Sequence, residues 1–237
     1  STFLTLWSVT SPADEGVISS IETRSQQLTD LSDLIWDLDE VGYQETRSSE
    51  ALKSALSAEG FSIDSGVAEI PTAFVASYGS GEPVIAVMGE FDALPGISQA
   101  AVPFEQKIEG KPAAQACGHH LFGAGSAGAA IAVKEWLERS GTPGTIQFFG
   151  TPAEEGGSGK VYMVRAGLFD DVDTVIHWHP SSVNAADSVS TLANRSAKFT
   201  FSGVSSHAAT APDRGRSALD AVEAMNFMVN LLREHVP

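Results

Sequence analysis

Side chains able to do chemistry collect in three places along the chain. Cys117, His119 and His120 share one short stretch, Glu154 and Glu155 are adjacent, and His177 and His179 flank Trp178. Thiolate, imidazole and carboxylate together suit a borderline divalent ion, with Zn2+ or Mn2+ the leading choices. In a helix Cys117 and His119 would point about 200° apart. To share an ion they need an extended or turn backbone, which Gly118 permits. The side chains of Glu154 and Glu155 diverge, so one carboxylate can hold metal while the other faces substrate as a general base. Zinc lowers the pKa of bound water towards roughly 7, and a nearby carboxylate can take that proton and return it to a leaving amine. Each feature alone has an ordinary reading: a Glu-Glu pair as a solvated loop, a lone Cys as a packing residue, His-x-His as a strand pattern. Four of the six His and the only Cys fall into two compact clusters, and this weakens the ordinary readings.

The elements that must position these groups are legible from periodicity. Apolar residues between 14 and 41 recur mostly at helical spacing and predict one long amphipathic helix ended by Gly42. A second helix is expected over 48–59, with Gly60 closing it. Residues 61–67 and 72–78 read as strands either side of Pro71. Val84 to Met88 is a continuous apolar run, as expected for a strand buried on both faces of a mainly parallel sheet. A helix over 120–139, a strand over 145–149, a short helix over 160–166 and a strand over 174–178 follow. This alternation predicts an α/β fold, a mainly parallel sheet with helices on both faces. All three reactive groups then lie near the edge where such sheets bind ligands, beyond the carboxyl ends of strands. After Asn194 the pattern changes to a half-exposed strand over 198–201 and an amphipathic helix over 217–235, the expected start of a second domain.

Composition narrows the function classes. The formal net charge of -16 over 237 residues repels phosphate backbones and anionic lipid surfaces, so neither nucleic acid nor a membrane is an expected partner. A single Cys cannot close an internal disulfide or build a Cys-rich zinc finger. No run reaches the roughly 18 to 20 apolar residues that span a bilayer. The apolar stretch at 3–9, followed by Ser11-Pro12-Ala13, reads as a clipped signal peptide, a first strand or a packing arm. The compartment expected is the cytoplasm, or the periplasm if the first of these holds. Gly123-Ala124-Gly125-Ser126-Ala127-Gly128 matches the dinucleotide fingerprint, but it does not directly follow a strand and no acidic residue ends a strand about 20 residues on. Its small residues are expected instead to let a helix pack closely on the sheet.

Read together, Gly89-Glu90-Phe91-Asp92-Ala93-Leu94-Pro95-Gly96, Ala116-Cys117-Gly118-His119, Thr151-Pro152-Ala153-Glu154-Glu155-Gly156-Gly157-Ser158-Gly159-Lys160 and Trp178-His179-Pro180 resemble the aminoacylase and carboxypeptidase-like metallohydrolases. Within that family the likeness is to the p-aminobenzoyl-glutamate hydrolase branch. Ser206-His207-Ala208-Ala209 and Gly215-Arg216-Ser217-Ala218-Leu219-Asp220 resemble the start of the family's lid domain.

The resemblance implies that Cys117, His119, Glu155 and His179 hold one or two divalent ions, Zn2+ or Mn2+, and that Glu154 is the general base. It implies that His207 reaches a neighbouring subunit's site and steadies the oxyanion, and that Asp92 lies at the site rim and orients a ligand. His120 stands where the family usually has Asp or Asn, so it either joins the metal shell or points away. His177 competes with His179 as a ligand, and the Trp-His-Pro context favours His179. The implied activity is hydrolysis of the amide bond of a small-molecule N-acyl amino acid, in the first place an aminobenzoyl-glutamate-like one. The alternatives are a dipeptidase, an aminoacylase, or a non-catalytic binding or assembly member. The implied organisation is a catalytic domain over 1–193 and the beginning of a lid or dimerisation domain over 194–237. The implied assembly is a homodimer through the lid, with room for a second subunit type. The chain reads as truncated, with a further metal-ligand His and the return half of the lid beyond Pro237, and is expected to work poorly without them.

Overall fold

A computed structural model of the chain describes residues 12–186, 190–194 and 196–236, with side chains from residue 15. The apolar stretch at 3–9 lies outside the described residues. The chain divides into two compact units, Ser1–Asn184 and Ala185–Pro237.

The first unit opens with α1 (Pro12–Thr23) and α2 (Ser25–Leu38) where one long helix is predicted. The break falls at Arg24, whose backbone leaves the helical region at φ -98° and ψ 5° and whose guanidinium pairs with Glu59, at 3.3 Å, and with Glu135. Asp39 ends α2 in the left-handed region, with φ 47°. Next come α3 (Thr46–Ala58) and the strands β1 (Ser62–Ser65), β2 (Phe74–Ser80) and β3 (Val84–Gly89). A short hairpin of β4 (Leu94–Pro95) and β5 (Ala113–Ala114), not foreseen from the sequence, braces the long loop before α4 (His119–Ser140). Then follow β6 (Gly144–Gly150), the irregular turn α5 (Glu154–Gly157), α6 (Gly159–Arg165) and β7 (Thr174–Ile176).

The five-stranded sheet has the order β1-β2-β6-β3-β7. It is mixed: β1 with β2 and β2 with β6 pair antiparallel, while β3 pairs parallel with both β6 and β7. The short turn around Pro71 forces the antiparallel start, and the helical crossovers make the rest parallel. From β3 the chain crosses through α4 to β6 on one side, then through α6 to β7 on the other. The strand order therefore reverses beside β3, the place where such sheets bind ligands past the carboxyl ends of their parallel strands.

Alternate strand residues build a core on each face of the sheet. Phe74, Ala76, Val87, Ile146 and Phe148 meet Ile35, Leu52, Leu56 and Ile131 from α2, α3 and α4. Val75, Ala86 and Phe149 face the other way, onto Met163 of α6 and Ile70. The glycines of α4 fit the close-packing expectation. A Cβ on Gly128 would lie 2.6 Å from Leu28, and one on Gly123 would lie 2.9 Å from the Glu90 carbonyl.

In the second unit, α7 (Ala218–Leu231) begins at Ser217, whose hydroxyl accepts the Asp220 N–H at 3.1 Å, a regular N-cap. Val204 and Arg216 form an isolated antiparallel bridge. The strand expected over 198–201 is irregular: among the described residues it has no ladder partner, and alternation alone cannot hold a strand. No helix among the described residues is long and apolar enough to cross a membrane.

Candidate metal centre

The ends of β3, β6 and β7 bring the reactive residues together. Gly118 sits at φ 82°, and a Cβ there would lie 2.8 Å from Pro180. This left-handed turn sets Cys117 and His119 on the same side, because His119 is already the first residue of α4. The Cys117 Sγ lies 3.5 Å from His179 Nε2, and the His119 and His179 rings stand perpendicular with centroids 5.6 Å apart.

Both imidazoles are turned the same way. The Nδ1 of His179 lies 2.9 Å from the carbonyl oxygen of Pro180. The Nδ1 of His119 lies 3.0 Å from the carbonyl oxygen of Asp92 and 3.0 Å from its Oδ1. Only acceptors face these Nδ1 atoms, so each Nδ1 carries a proton, while His179 Nε2 faces Cys117 and His119 Nε2 faces Glu90 Oε2 at 2.9 Å. Within 4.8 Å of one another lie donor atoms of Cys117, His119 and His179, and separately of Glu90, His119 and Glu154.

Asp92 does more than border the site. It is 1% exposed, beneath the cluster rather than at its rim, and its Oδ2 accepts the Glu155 backbone N–H at 2.8 Å. The loop bearing the two glutamates is held again by buried Glu45, whose Oε1 accepts the Ala153 N–H at 2.8 Å while Oε2 accepts the Thr72 hydroxyl at 3.2 Å. Ala153 adopts φ 57°, and Glu155 and Gly156 leave the helical region, so the chain twists sharply here and Glu154 and Glu155 diverge. Glu154 Oε2 lies 4.0 Å from His119 Nε2, and its side chain is 45% exposed. The Glu155 Oε1 is buried without a hydrogen bond.

Glu90 and Lys160 are members of the cluster that the donor pattern did not single out. Glu90 is 2% exposed at the end of β3, with Oε1 paired to Lys160 Nζ and Oε2 2.9 Å from His119 Nε2. The available signal was its place one residue beyond a buried apolar strand and two before Asp92.

Charge in the centre is unbalanced. Burial pushes the Cys117 thiol up, and the carboxylates of Glu155, Glu154 and Glu90 take it to about 11. Burial disfavours a charged His119, but the flanking Asp92 and Glu90 outweigh it and bring it to about 10. Burial raises Glu90, yet His119 and Lys160 prevail and hold it at about 2. Burial, then Glu90, raises Glu154 above the usual carboxylate range. Such a field holds a cation well, and a bound cation would in turn favour the thiolate.

The remaining expected residues separate. His120 points away, its ring edge-on to Trp36 at 5.0 Å, and burial lowers its pKa. His177 lies 4.0 Å from Glu90 Oε1 and edge-on to Phe122, outside the Cys117 group. His207 belongs to the second unit, where its exposed ring accepts the Ala209 and Thr210 N–H groups on Nδ1 at 3.2 and 3.3 Å. Its proton therefore sits on Nε2.

Residues 86–226 match the model of peptidase family M20/M25/M40. The chain is 48% identical to the B-type subunit of p-aminobenzoyl-glutamate hydrolase from Escherichia coli (strain K12), over 92% of this chain and 45% of that protein. It is 32% identical to the Xaa-Arg dipeptidase of Homo sapiens, over 91% of this chain and 49% of that one. The chain thus spans about half the length of these curated relatives. Among solved structures it resembles the Bacillus subtilis YXEP protein, a dinuclear metal-binding peptidase from the M20 family, with a TM-score of 0.54 and 28% identity over 65% of this chain and 43% of that one. The chain belongs to the M20/M25/M40 peptidase family.

Proposed function

We propose that the protein is a metal-dependent amidohydrolase that cleaves the amide bond of an N-acyl amino acid, with an aminobenzoyl-glutamate-like compound as its substrate. The observation that carries this reading is the convergence of Cys117 Sγ with the Nε2 atoms of His119 and His179, beside the half-exposed Glu154. The orphaned polar atoms of the cluster fit a cation: Glu90 Oε2, His119 Nε2 and Glu155 Oε1 are buried with no hydrogen-bond partner. Cys117, His119, Glu155 and His179 would hold the metal. A sulfur and nitrogen set favours Zn2+, while added carboxylates bring Mn2+ into range. When bound, such an ion polarises a carbonyl and makes water acidic enough to attack at neutral pH.

The chain's own groups supply the rest. Glu154, raised in pKa and reachable from solvent, takes the proton of the attacking water and returns it to the departing amine. Asp92 fixes the His119 ring and the backbone of Glu155 together, so a ligand and the loop carrying the base cannot drift apart. His207, with its proton on Nε2, is the oxyanion donor, supplied by the second unit of a neighbouring copy in a homodimer. The Escherichia coli relative is named as one subunit of its hydrolase, which supports a further partner subunit for this chain as well.

A dipeptide substrate is the second reading, favoured by the likeness to the Xaa-Arg dipeptidase. The test is release of free amino acid by the full-length protein from p-aminobenzoyl-glutamate and from Xaa-Arg dipeptides, with Mn2+ or Zn2+ added after chelation. The expected result is preference for the aroyl substrate, with turnover lost to the chelator and restored by metal. Preference for the dipeptide supports the second reading, and metal-independent turnover contradicts both.

A further inference from the structure

We propose that Glu90 is itself a metal ligand, bound through Oε2 to the ion that His119 holds, and that it tilts the centre towards Mn2+. This rests on the metal-centre reading above. Glu90 Oε2 and His119 Nε2 approach to 2.9 Å, yet neither makes a hydrogen bond. The two atoms are close without being aligned as donor and acceptor. Donor atoms of Glu90, His119 and Glu154 all lie within 4.8 Å of one another, the spread of ligands around one ion.

Neighbouring ligands on one ion, with bonds of about 2.1 Å at right angles, stand about 3.0 Å apart. The observed separation is that of adjacent ligands. Glu154 Oε2, 4.0 Å from His119 Nε2, bounds the same space from the solvent side.

Lys160 fits the assignment. It pairs with Glu90 Oε1, leaving Oε2 to face His119, and withdraws charge from the carboxylate. As a ligand set, Cys117, His119 and His179 alone favour the softer Zn2+. A buried carboxylate added to that set improves the site for the harder Mn2+ more than for Zn2+.

The experiment measures Mn2+ and Zn2+ affinities of the full-length protein, by competition with a chromogenic chelator, for the native form and for Glu90→Gln, Lys160→Met and Cys117→Ser. Melting curves without metal check that each variant folds. The expected result is a fall in Mn2+ affinity of about tenfold or more in Glu90→Gln, on the scale of lost metal-site contacts, with a clearly smaller change for Zn2+. Lys160→Met should bind Mn2+ as well as the native form or better, because it removes a competing cation. If Glu90 only braces Lys160 or His119, Lys160→Met or both metals will show the same loss, and the assignment fails. Loss of metal in Cys117→Ser with none in Glu90→Gln overturns the Glu90 assignment alone. Unchanged binding in both variants overturns the metal-centre reading beneath it. If Glu90→Gln fails to fold, the outcome with Lys160→Met decides: weaker Mn2+ binding contradicts the ligand role, and equal or tighter binding supports it.

Discussion

Asp92 is buried against His119, with Oδ1 3.0 Å from the ring Nδ1, and the other oxygen of the same carboxylate accepts the Glu155 N–H at 2.8 Å. One side chain thereby ties the end of β3 to the start of α4 and to the loop after β6. Three of the four segments that carry the proposed ligands and base share this anchor, itself closed off from solvent, and only the His179 segment after β7 lies outside it.

Asp92→Asn tests that anchor. The amide keeps one acceptor oxygen but loses the negative charge that favours the Nδ1 proton on His119. Metal affinity should fall about 10- to 100-fold, the usual cost of losing such a partner, and the melting temperature of the metal-free protein should fall as well, because the amide NH2 must meet one of the two N–H donors. Chelator competition and a thermal scan read the two quantities. Unchanged affinity would show that Asp92 plays no part in holding the metal.

Glu45 gives a pH-dependent stability. Burial, offset in part by the bonds from its own backbone and Ala153, leaves its carboxyl at about 6 against an ordinary value of 4.5. The folded state therefore holds this proton more tightly than the unfolded chain does. Its contribution is most favourable below about pH 4.5 and is lost as pH rises through about 6. Glu45→Gln should be more stable than the native protein at pH 7.5 by up to about 2 kcal/mol, with the difference closing towards pH 4. Denaturant titrations at the two pH values measure it. A Gln variant less stable at both would show that ionised Glu45 stabilises the Ala153 loop.

Gly123→Ala probes how closely α4 must approach β3. Its Cβ would sit 2.9 Å from the Glu90 carbonyl oxygen, and that backbone has little freedom to retreat. Overpacking of this kind costs about 1 to 3 kcal/mol, and the displaced Glu90 should weaken metal binding as well. Chemical denaturation and chelator competition on the same preparation read both effects. A neutral result would mean that α4 slides freely along the sheet.

Much of the arrangement was legible because buried strands announce themselves: the unbroken apolar run of β3 and the strands read over 145–149 and 174–178 showed where their carboxyl ends fall, and so why Glu154, Glu155 and His179 converge. Gly118 was legible for the same reason, since Cys117 and His119 cannot face one point across a helix. Glu90, Lys160 and Glu45 were not. Each is a charged residue of a type usually solvated, and only the fold reveals that Glu90 and Glu45 are buried with partners 70 and 108 residues away along the chain. The break between α1 and α2 was hidden likewise, because the Arg24 at the break pairs with Glu59 and Glu135, far along the chain. The strand expected over 198–201 failed for the converse reason: alternation is local, whereas a strand needs a neighbour.

His207→Ala addresses the oxyanion role. If Nε2–H donates to the developing charge, kcat on the preferred amide should drop about 10²- to 10³-fold, with KM and metal content nearly unchanged. Steady-state kinetics with parallel metal analysis makes the comparison. A change confined to KM would make His207 a substrate-binding residue instead.

The most direct test of the central claim pairs metal content with amide hydrolysis in Glu154→Gln of the full-length protein. Native metal stoichiometry is predicted, with a loss of kcat of about 10²- to 10⁴-fold, the range for removing a positioned general base. Hydrolysis at the native rate with metal retained would contradict the assignment of Glu154 as that base.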